Sequence, residues 1–440
     1  MTATTLTSSW TQGRAPSLPD VRPASDRIAI GFLSVCLLVS YLQYCLERSD
    51  VVRLFPIVLL MMGAFLFLVT CPRDRRREIL MSVTRPANLG IIAAVTVPPV
   101  ASSLFYRPTL FPFEYGMIMI AVLIVLRILL SAIGFEGILV SFFYATSVGI
   151  LVVAGLNFSE LLTSIGSARF APPYYDPNRI AFFAATAIPV QLWFVARRRR
   201  YSVLLLTALC VLVMIAASSR GSIGALLIGG LATTILYLVK QSRSGTFAIS
   251  RNKLIGTLAL LCVLTCIAGV EQRAVADSGR YLATKLALDD SERGLNTGFT
   301  GRTIYWAELT QILPKTFWVI GNGFRTSDED FNFPVDNGYL AGLYELGLFS
   351  AVIVLAKYVF IVYFLAAVYL RNPWAEGSCV PVLFFTLVIF FANAYVHRVF
   401  FGIGEQASIL ALFTFVGNRQ DVLRMLQLPA ILQRSWPECR

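Results

Sequence analysis

Residues 197–240 read RRRRYSVLLLTALCVLVMIAASSRGSIGALLIGGLATTILYLVK. Four arginines precede an apolar block at 201–217, the polar stretch Ser218-Ser219-Arg220-Gly221 interrupts it, and a second apolar block at 222–239 runs on to Lys240. Each block approaches the roughly 20 apolar residues that a bilayer span needs, because a backbone in hydrocarbon satisfies its N–H and C=O groups only within its own helix. Basic residues flank the pair on one side and almost no loop separates it on the other. The stretch therefore predicts a transmembrane helical hairpin whose arginine-rich ends face the cytoplasm.

The same pattern extends along the chain. Of the 440 residues 57% are hydrophobic and 14% charged, and the mean hydropathy is +0.70, with the apolar residues gathered in long blocks rather than spread as in a soluble core. Spans are predicted near 28–46, 51–70, 89–105, 115–131, 137–156, 178–196, 201–217, 222–239, 254–270, 338–370, 379–396 and 403–418. The fold class is thus all-α, a polytopic membrane protein with about 12 transmembrane helices. The 338–370 block is longer than one span needs, and reads either as one tilted helix or as a re-entrant piece followed by a span.

Basic residues set the orientation. Arg73, Arg75, Arg76, Arg77 and Arg85 follow the second span, Arg197 to Arg200 the sixth, and Lys240, Arg243, Arg251 and Lys253 the eighth. The N-terminal Arg14, Arg22 and Arg27 and the tail with Arg419, Arg424, Arg434 and Arg440 fall on that same side, so both termini are expected in the cytoplasm. The division that results is a disordered cytoplasmic segment at 1–27, a membrane-embedded domain at 28–418 with one large periplasmic loop at 271–337 containing short helices, and a cytoplasmic tail at 419–440. Pro16, Pro19 and Pro23 make the first segment a polar lead-in rather than a cleaved signal peptide. The formal charge of +12 is then topological, favouring anionic headgroups of membrane lipids over nucleic acid. None of the eight cysteines lies in the outer loop, and Cys262 and Cys266 read as small packing residues within one span. With His397 the single histidine, no metal site has support.

Polar groups at the apolar boundary are the informative ones, since an ionisable side chain left unpaired there costs roughly 2.5–3.5 kcal/mol on insertion scales. The predicted topology puts five such places on the extracytoplasmic side. Arg169 to Arg179 (RFAPPYYDPNR) leads into a span, with Asp176, Pro177 and Asn178 patterned as a helix start. Capping accounts for Asp176 and Asn178 as well as substrate contact does, and Tyr174 and Tyr175 suit an interface. Arg220, held at the surface by the tight turn with Ser219 and Gly221, is either a snorkelling anchor or a guanidinium placed for a phosphate. Arg302, Trp306, Leu309 and Leu313 share one face if 302–313 is helical, giving an amphipathic helix that lies on the membrane or covers a site. Gly321-Asn322-Gly323-Phe324 is a turn and fails as a nucleotide fingerprint, having neither a strand nor a third glycine. Asp336-Asn337-Gly338-Tyr339-Leu340, followed by Glu345-Leu346-Gly347, opens a span, where a helix dipole stabilises a carboxylate that serves as cap or as base. Asn393, His397 and Arg398 end a later span on the same side, as anchor or as site.

Taken in order, these pieces resemble the O-antigen ligase and Wzy-type polymerase superfamily of bacterial inner-membrane glycosyltransferases. The matching elements are DPN at Asp176–Asn178, SRG at Ser219–Gly221, GR with Trp306 four residues after Arg302, GNGF at Gly321–Phe324, and NGYL…ELG at Asn337–Gly347, within residues 90–415. The resemblance implies transfer of a glycan from a polyprenyl-diphosphate carrier to a sugar hydroxyl at the periplasmic face, with no cofactor. Arg220 and Arg302 would match diphosphate-binding arginines, with Asp336 as the acceptor's base. Arg169, Asp176, Asn178, Arg179, Trp306, Asn337, Tyr339 and Arg398 would line the substrate. A flippase and a chain-length regulator are the partner proteins it implies.

Family ligases that attach O-antigen to lipid A core carry a histidine where this chain has Asp336, which favours a polymerase of exopolysaccharide or O-antigen over a ligase. A transporter of lipid-linked glycans is the alternative from another class, but no internal repeat is visible and the informative charges cluster at one surface. A helical scaffold for polysaccharide-assembly proteins is the third reading.

Overall fold

The computed structural model describes residues 23–42, 50–107, 109–166, 169–171, 176–243, 302–315, 318–331, 335–372, 378–398, 400–402 and 406–426. The expected span at 254–270, most of the outer loop, Tyr174, Tyr175, residues 1–22 and 427–440 and Gly301 lie outside them. Among the described residues every regular element is helical. In chain order these are α1 (Ala24–Leu42), α2 (Asp50–Thr70), α3 (Arg73–Val83), α4 (Pro86–Tyr106), α5 (Phe111–Leu156), α6 (Phe158–Gly166), α7 (Pro177–Arg198), α8 (Val203–Ala216) and α9 (Arg220–Arg243). They continue as α10 (Arg302–Ile312), α11 (Thr326–Asp330), α12 (Gly338–Arg371), α13 (Val380–Ala394), α14 (Gln406–Val416) and α15 (Arg419–Arg424). Six described helices, α1, α4, α5, α7, α9 and α12, are long and apolar enough to cross a membrane, and shorter apolar helices run over Phe55–Thr70, Val203–Ala216, Val380–Ala394 and Gln406–Val416.

Glycines divide the two longest helices. α5 breaks at Gly134 (φ 66°, ψ 174°), which separates the two spans read at 115–131 and 137–156. Near the start of the first arm, Tyr115 donates its hydroxyl to Phe401 O at 3.0 Å. The second arm runs beside α1, where the Ser141 hydroxyl meets Ile30 O at 3.2 Å and Gly149 lies against the Tyr41 ring.

α12 breaks at Gly347 (φ 75°, ψ 166°), so the long 338–370 block is two helical arms rather than one tilted helix. In an unbroken helix Leu348 N–H would bond to Tyr344 O and Phe349 N–H to Glu345 O. Residues 318–323 insert between them. Asn322 N donates to Tyr344 O at 3.1 Å and Gly323 N to Glu345 O at 3.0 Å, while Trp318 O accepts from Leu348 N at 2.7 Å and Val319 O from Phe349 N at 3.1 Å. The Asn322 amide adds a second donor to Tyr344 O at 2.9 Å. Each group left unmet in an apolar setting would cost several kcal/mol, so the GNGF turn is what makes the break tolerable. Both facing glycines are required by space as well as by φ. A Cβ on Gly321 would stand 2.3 Å from Glu345 O, and one on Gly347 2.2 Å from Gly321 N.

The arginine-rich segments collect at one end of the bundle. There Arg75 pairs with Asp26 at 2.8 Å and donates to Ala132 O at 2.8 Å, and Arg197 pairs with Glu136 at 2.9 Å. Arg127, buried in the first arm of α5, is ion-paired with Asp421 and donates to the Ser82 hydroxyl at 2.7 Å. Lys240 donates to Asn372 O at 3.0 Å, joining the last turns of α9 and α12. Asp421 belongs to α15, which opens with an Asn418–Asp421 capping box. The segment expected to begin a free tail at residue 419 is therefore a docked helix, because burying Arg127 requires a carboxylate to meet it.

Candidate functional site

The opposite end gathers most of the polar places read from the sequence. α8 ends at Ala216, and its last carbonyls would lack helical partners. The segment before α7 supplies them: Phe170 N–H donates to Ala216 O at 3.0 Å and Arg169 Nε to Ala217 O at 2.8 Å. The same guanidinium donates from Nη2 to Asn178 Oδ1 at 2.7 Å, and Asp176 caps α7 by accepting Asn178 N–H at 2.9 Å. Arg179 lies 3.9 Å from Asp176 in a half-exposed pair. These four residues thus brace the turn between α8 and α9.

That turn carries Ser218 in a left-handed conformation (φ 53°), a buried Ser219 and a half-buried Arg220 that begins α9. The Ser219 hydroxyl bonds to that of Ser222 at 3.1 Å, and Ser222 reaches Asn178 O at 3.5 Å. Gly221 presses on the end of α13. A Cβ there would meet Val396 Cγ2 at 2.5 Å and stand 3.5 Å from Asn393 Oδ1. The carboxamide of Asn393 is wholly buried, and among the described residues neither its nitrogen nor its oxygen has a hydrogen-bond partner.

The end of α13 also touches the start of α12. A Cβ on Gly338 would lie 2.8 Å from His397 O and 3.0 Å from Ala394 O, and the Tyr339 hydroxyl donates to Phe391 O at 2.9 Å. Asn337 is the N-cap of α12, its side chain accepting from Tyr339 N at 3.0 Å and Leu340 N at 3.1 Å, with the half-buried Asp336 just before it. α10 covers this junction. Its Leu309, with Leu313 beyond it, packs among Val335, Ala341 and Tyr344, and the Trp306 ring stands edge-on to Tyr395 at 5.1 Å. The helix expected at 302–313 is present over Arg302–Ile312, weakly amphipathic, with Leu309 turned to α12. Arg302 opens α10, with its side chain outside the described structure.

Three expected substrate contacts have structural roles. Asn337 and Tyr339 hold α12 in place, as above. Arg398 is ion-paired with Glu345 beside the Gly347 break, and the Ser327 hydroxyl donates to the same carboxylate at 2.6 Å. A second clamp lies nearby, where Arg107 donates to Asn322 O at 3.0 Å and pairs with Asp330 at 2.6 Å, and Tyr344 donates to Asp330 at 2.6 Å. Burial alone would lower the Arg107 pKa, but its bonds with Asp330 and Tyr344 outweigh that and raise it. Sequence reading missed Arg107, Ser327 and Asp330. Glu345, an acid leading into an apolar run, carried a signal that a partner was needed.

The structure therefore unites Arg169, Asp176, Asn178, Arg220, Asn337, Tyr339 and Trp306 in one continuous wall built from the ends of α7 to α10, α12 and α13. Among the described residues no group of His, Cys, Asp or Glu side chains is placed to hold a metal ion. Fold and wall together define an all-α membrane protein with a polar surface at the end remote from its arginine-rich segments. No protein-family model matches the chain, and no curated protein matches it.

Proposed function

We propose that this protein is a glycosyltransferase of the bacterial inner membrane that polymerises polyprenyl-diphosphate-linked oligosaccharide repeat units into an exopolysaccharide or O-antigen. The arginine-rich end faces the cytoplasm, as basic residues near span ends favour, and the wall faces the periplasm. The observation that carries the reading is the seating of the Ser219-Arg220-Gly221 turn against the α13 end that also supports Asn337-Gly338-Tyr339. An arginine at a helix start, between braced neighbours, suits an anionic leaving group.

In this reading an acceptor hydroxyl of one lipid-linked unit attacks the anomeric carbon of the chain on another. The bond from that carbon to the diphosphate oxygen breaks, and the carrier leaves as a lipid diphosphate. Arg220 and Arg302 neutralise the charge gathering on the leaving group. Asp336, just before the α12 N-terminus, takes the hydroxyl proton.

The lipid-linked material in a deletion strain tests this directly. Single repeat units on the carrier, at the periplasmic face, are the expected outcome. Long lipid-linked polymer would instead make the protein a ligase, and units held on the cytoplasmic face a transporter.

A further inference from the structure

The sequence reading left Asn393, with His397 and Arg398, as anchor or as site. It lies in the last turn of α13, 0% exposed, and among the described residues Oδ1 and Nδ2 both lack a partner, as do the amide atoms of the equally buried Gln406 at the start of α14. A carboxamide carries two donors and two acceptor lone pairs, and buried polar side chains in folded proteins nearly always have at least one of their bonds met. An apolar residue of similar size would fill the place without that penalty. Asn393 is aimed at the first turn of α9, with Oδ1 3.5 Å from the position a Cβ would take on Gly221. α9 is 24 residues long, and the N–H groups of its first turn have no helical acceptors. The cover over the amide is strained, since Ser218 holds a left-handed φ of 53° without being glycine.

We propose that Asn393 is a further anion-binding residue of this site. With the carboxamide turned over so that Nδ2 takes the place of Oδ1 facing the α9 start, it donates to a phosphate oxygen of a prenyl diphosphate seated at the α9 N-terminus beside Arg220, once the turn at 218–221 lifts. Glycine at 221 brings the helix start this close to the amide, since a Cβ there would stand 2.5 Å from Val396 Cγ2. This rests on the reading of the protein as an enzyme acting on a lipid diphosphate. It adds that recognition runs beneath the turn, through a neutral donor, as well as through arginine at the surface.

The test is binding of farnesyl diphosphate, with farnesol as control, to the full chain in nanodiscs, alongside melting temperature. Wild type should bind the diphosphate and not the alcohol. Asn393→Leu should melt at the same or a higher temperature yet bind about tenfold more weakly, as loss of a bond to a charged group predicts. Asn393→Asp, which keeps the shape but sets a carboxylate against the phosphate, should bind more weakly still. Asn393→Ser keeps a donor in a smaller side chain, should fall between wild type and Asn393→Leu, and serves if the larger replacements fail to fold. If Arg220→Ala loses binding while the folded Asn393 variants bind like wild type, this inference is overturned and the enzymatic reading stands. If wild type shows no preference for the diphosphate, both fall.

Discussion

The two ends of the bundle handle charge differently. At the arginine-rich end, buried or half-buried guanidiniums meet carboxylates and carbonyls of neighbouring helices: Arg127 with Asp421, Arg75 with Asp26 and Ala132 O, Arg197 with Glu136. At the other end a clamp of the same kind, Glu345 with Arg398 and Ser327, sits behind the wall. In front of it stand a left-handed Ser218, a half-buried Arg220 and an Asn393 amide that no described residue satisfies. One end pairs its charged groups with each other, although Arg76 Nε and Arg127 Nε lack a partner there among the described residues and Arg199 is left-handed (φ 52°). The other holds its scaffold closed and keeps a strained, incompletely satisfied turn over it, which is where function concentrates when a fold departs from its own rules.

The sharpest way to break this contrast is to remove the scaffold. Gly347→Ala forces a side chain into backbone at a positive φ, and should destabilise the protein on the order of 4 kcal/mol or more, visible as loss of the monodisperse peak on heated size-exclusion chromatography. An unchanged melting profile would mean that the α12 break is not held as described. Next come the buried ion pairs. Asp421→Ala and Glu345→Ala each strand an arginine and should cost about 3–5 kcal/mol. The folded fraction of Asp421→Ala should keep its polymer-forming activity, whereas Glu345→Ala, adjoining the wall, should lose it. Equal activity in both would erase the distinction between the ends. Asn337→Ala removes the α12 cap and should cost about 1 kcal/mol, read by thermal denaturation. Smallest of all, Arg424→Ala breaks an exposed pair with Glu78 at 3.7 Å and should change stability by no more than about 0.5 kcal/mol.

Much of the scaffold was legible before any coordinates. The apolar helices, the short polar turn between α8 and α9 and the gathering of basic segments at one end follow from hydropathy and charge, which report where a helix can be buried; that α8 packs chiefly on α7 and α9 on α13, rather than on each other as a hairpin, does not. The breaks at Gly134 and Gly347 were harder. The apolar blocks at 115–156 suggested a division, but at 338–370 hydropathy continues across a glycine whose φ depends on residues 318–323. At α12 the sequence offered Asp336 as the cap and the structure uses its neighbour Asn337, whereas capping by Asp176 was readable as a local motif. The partners of Arg398 and Arg127 were not, since an ion pair such as Arg127 with Asp421 joins residues 294 apart in the chain. Arg127 stood inside an apolar block as an unexplained cation, a sign that some carboxylate had to come to it. At the wall the sequence pattern indicated which segments matter. It did not separate residues that brace the turn, such as Arg169, from those turned toward a ligand, because that depends on contacts between helix ends.

The central claim is that the Ser219-Arg220-Gly221 turn is the diphosphate site of a lipid-linked glycan polymerase. The most direct measurement incubates the purified protein in nanodiscs with its lipid-linked repeat unit and resolves the products by gel. The account predicts a ladder of evenly spaced polymers from wild type, and none from Arg220→Ala at an unchanged melting temperature. An equal ladder from Arg220→Ala, or none from wild type, would contradict it.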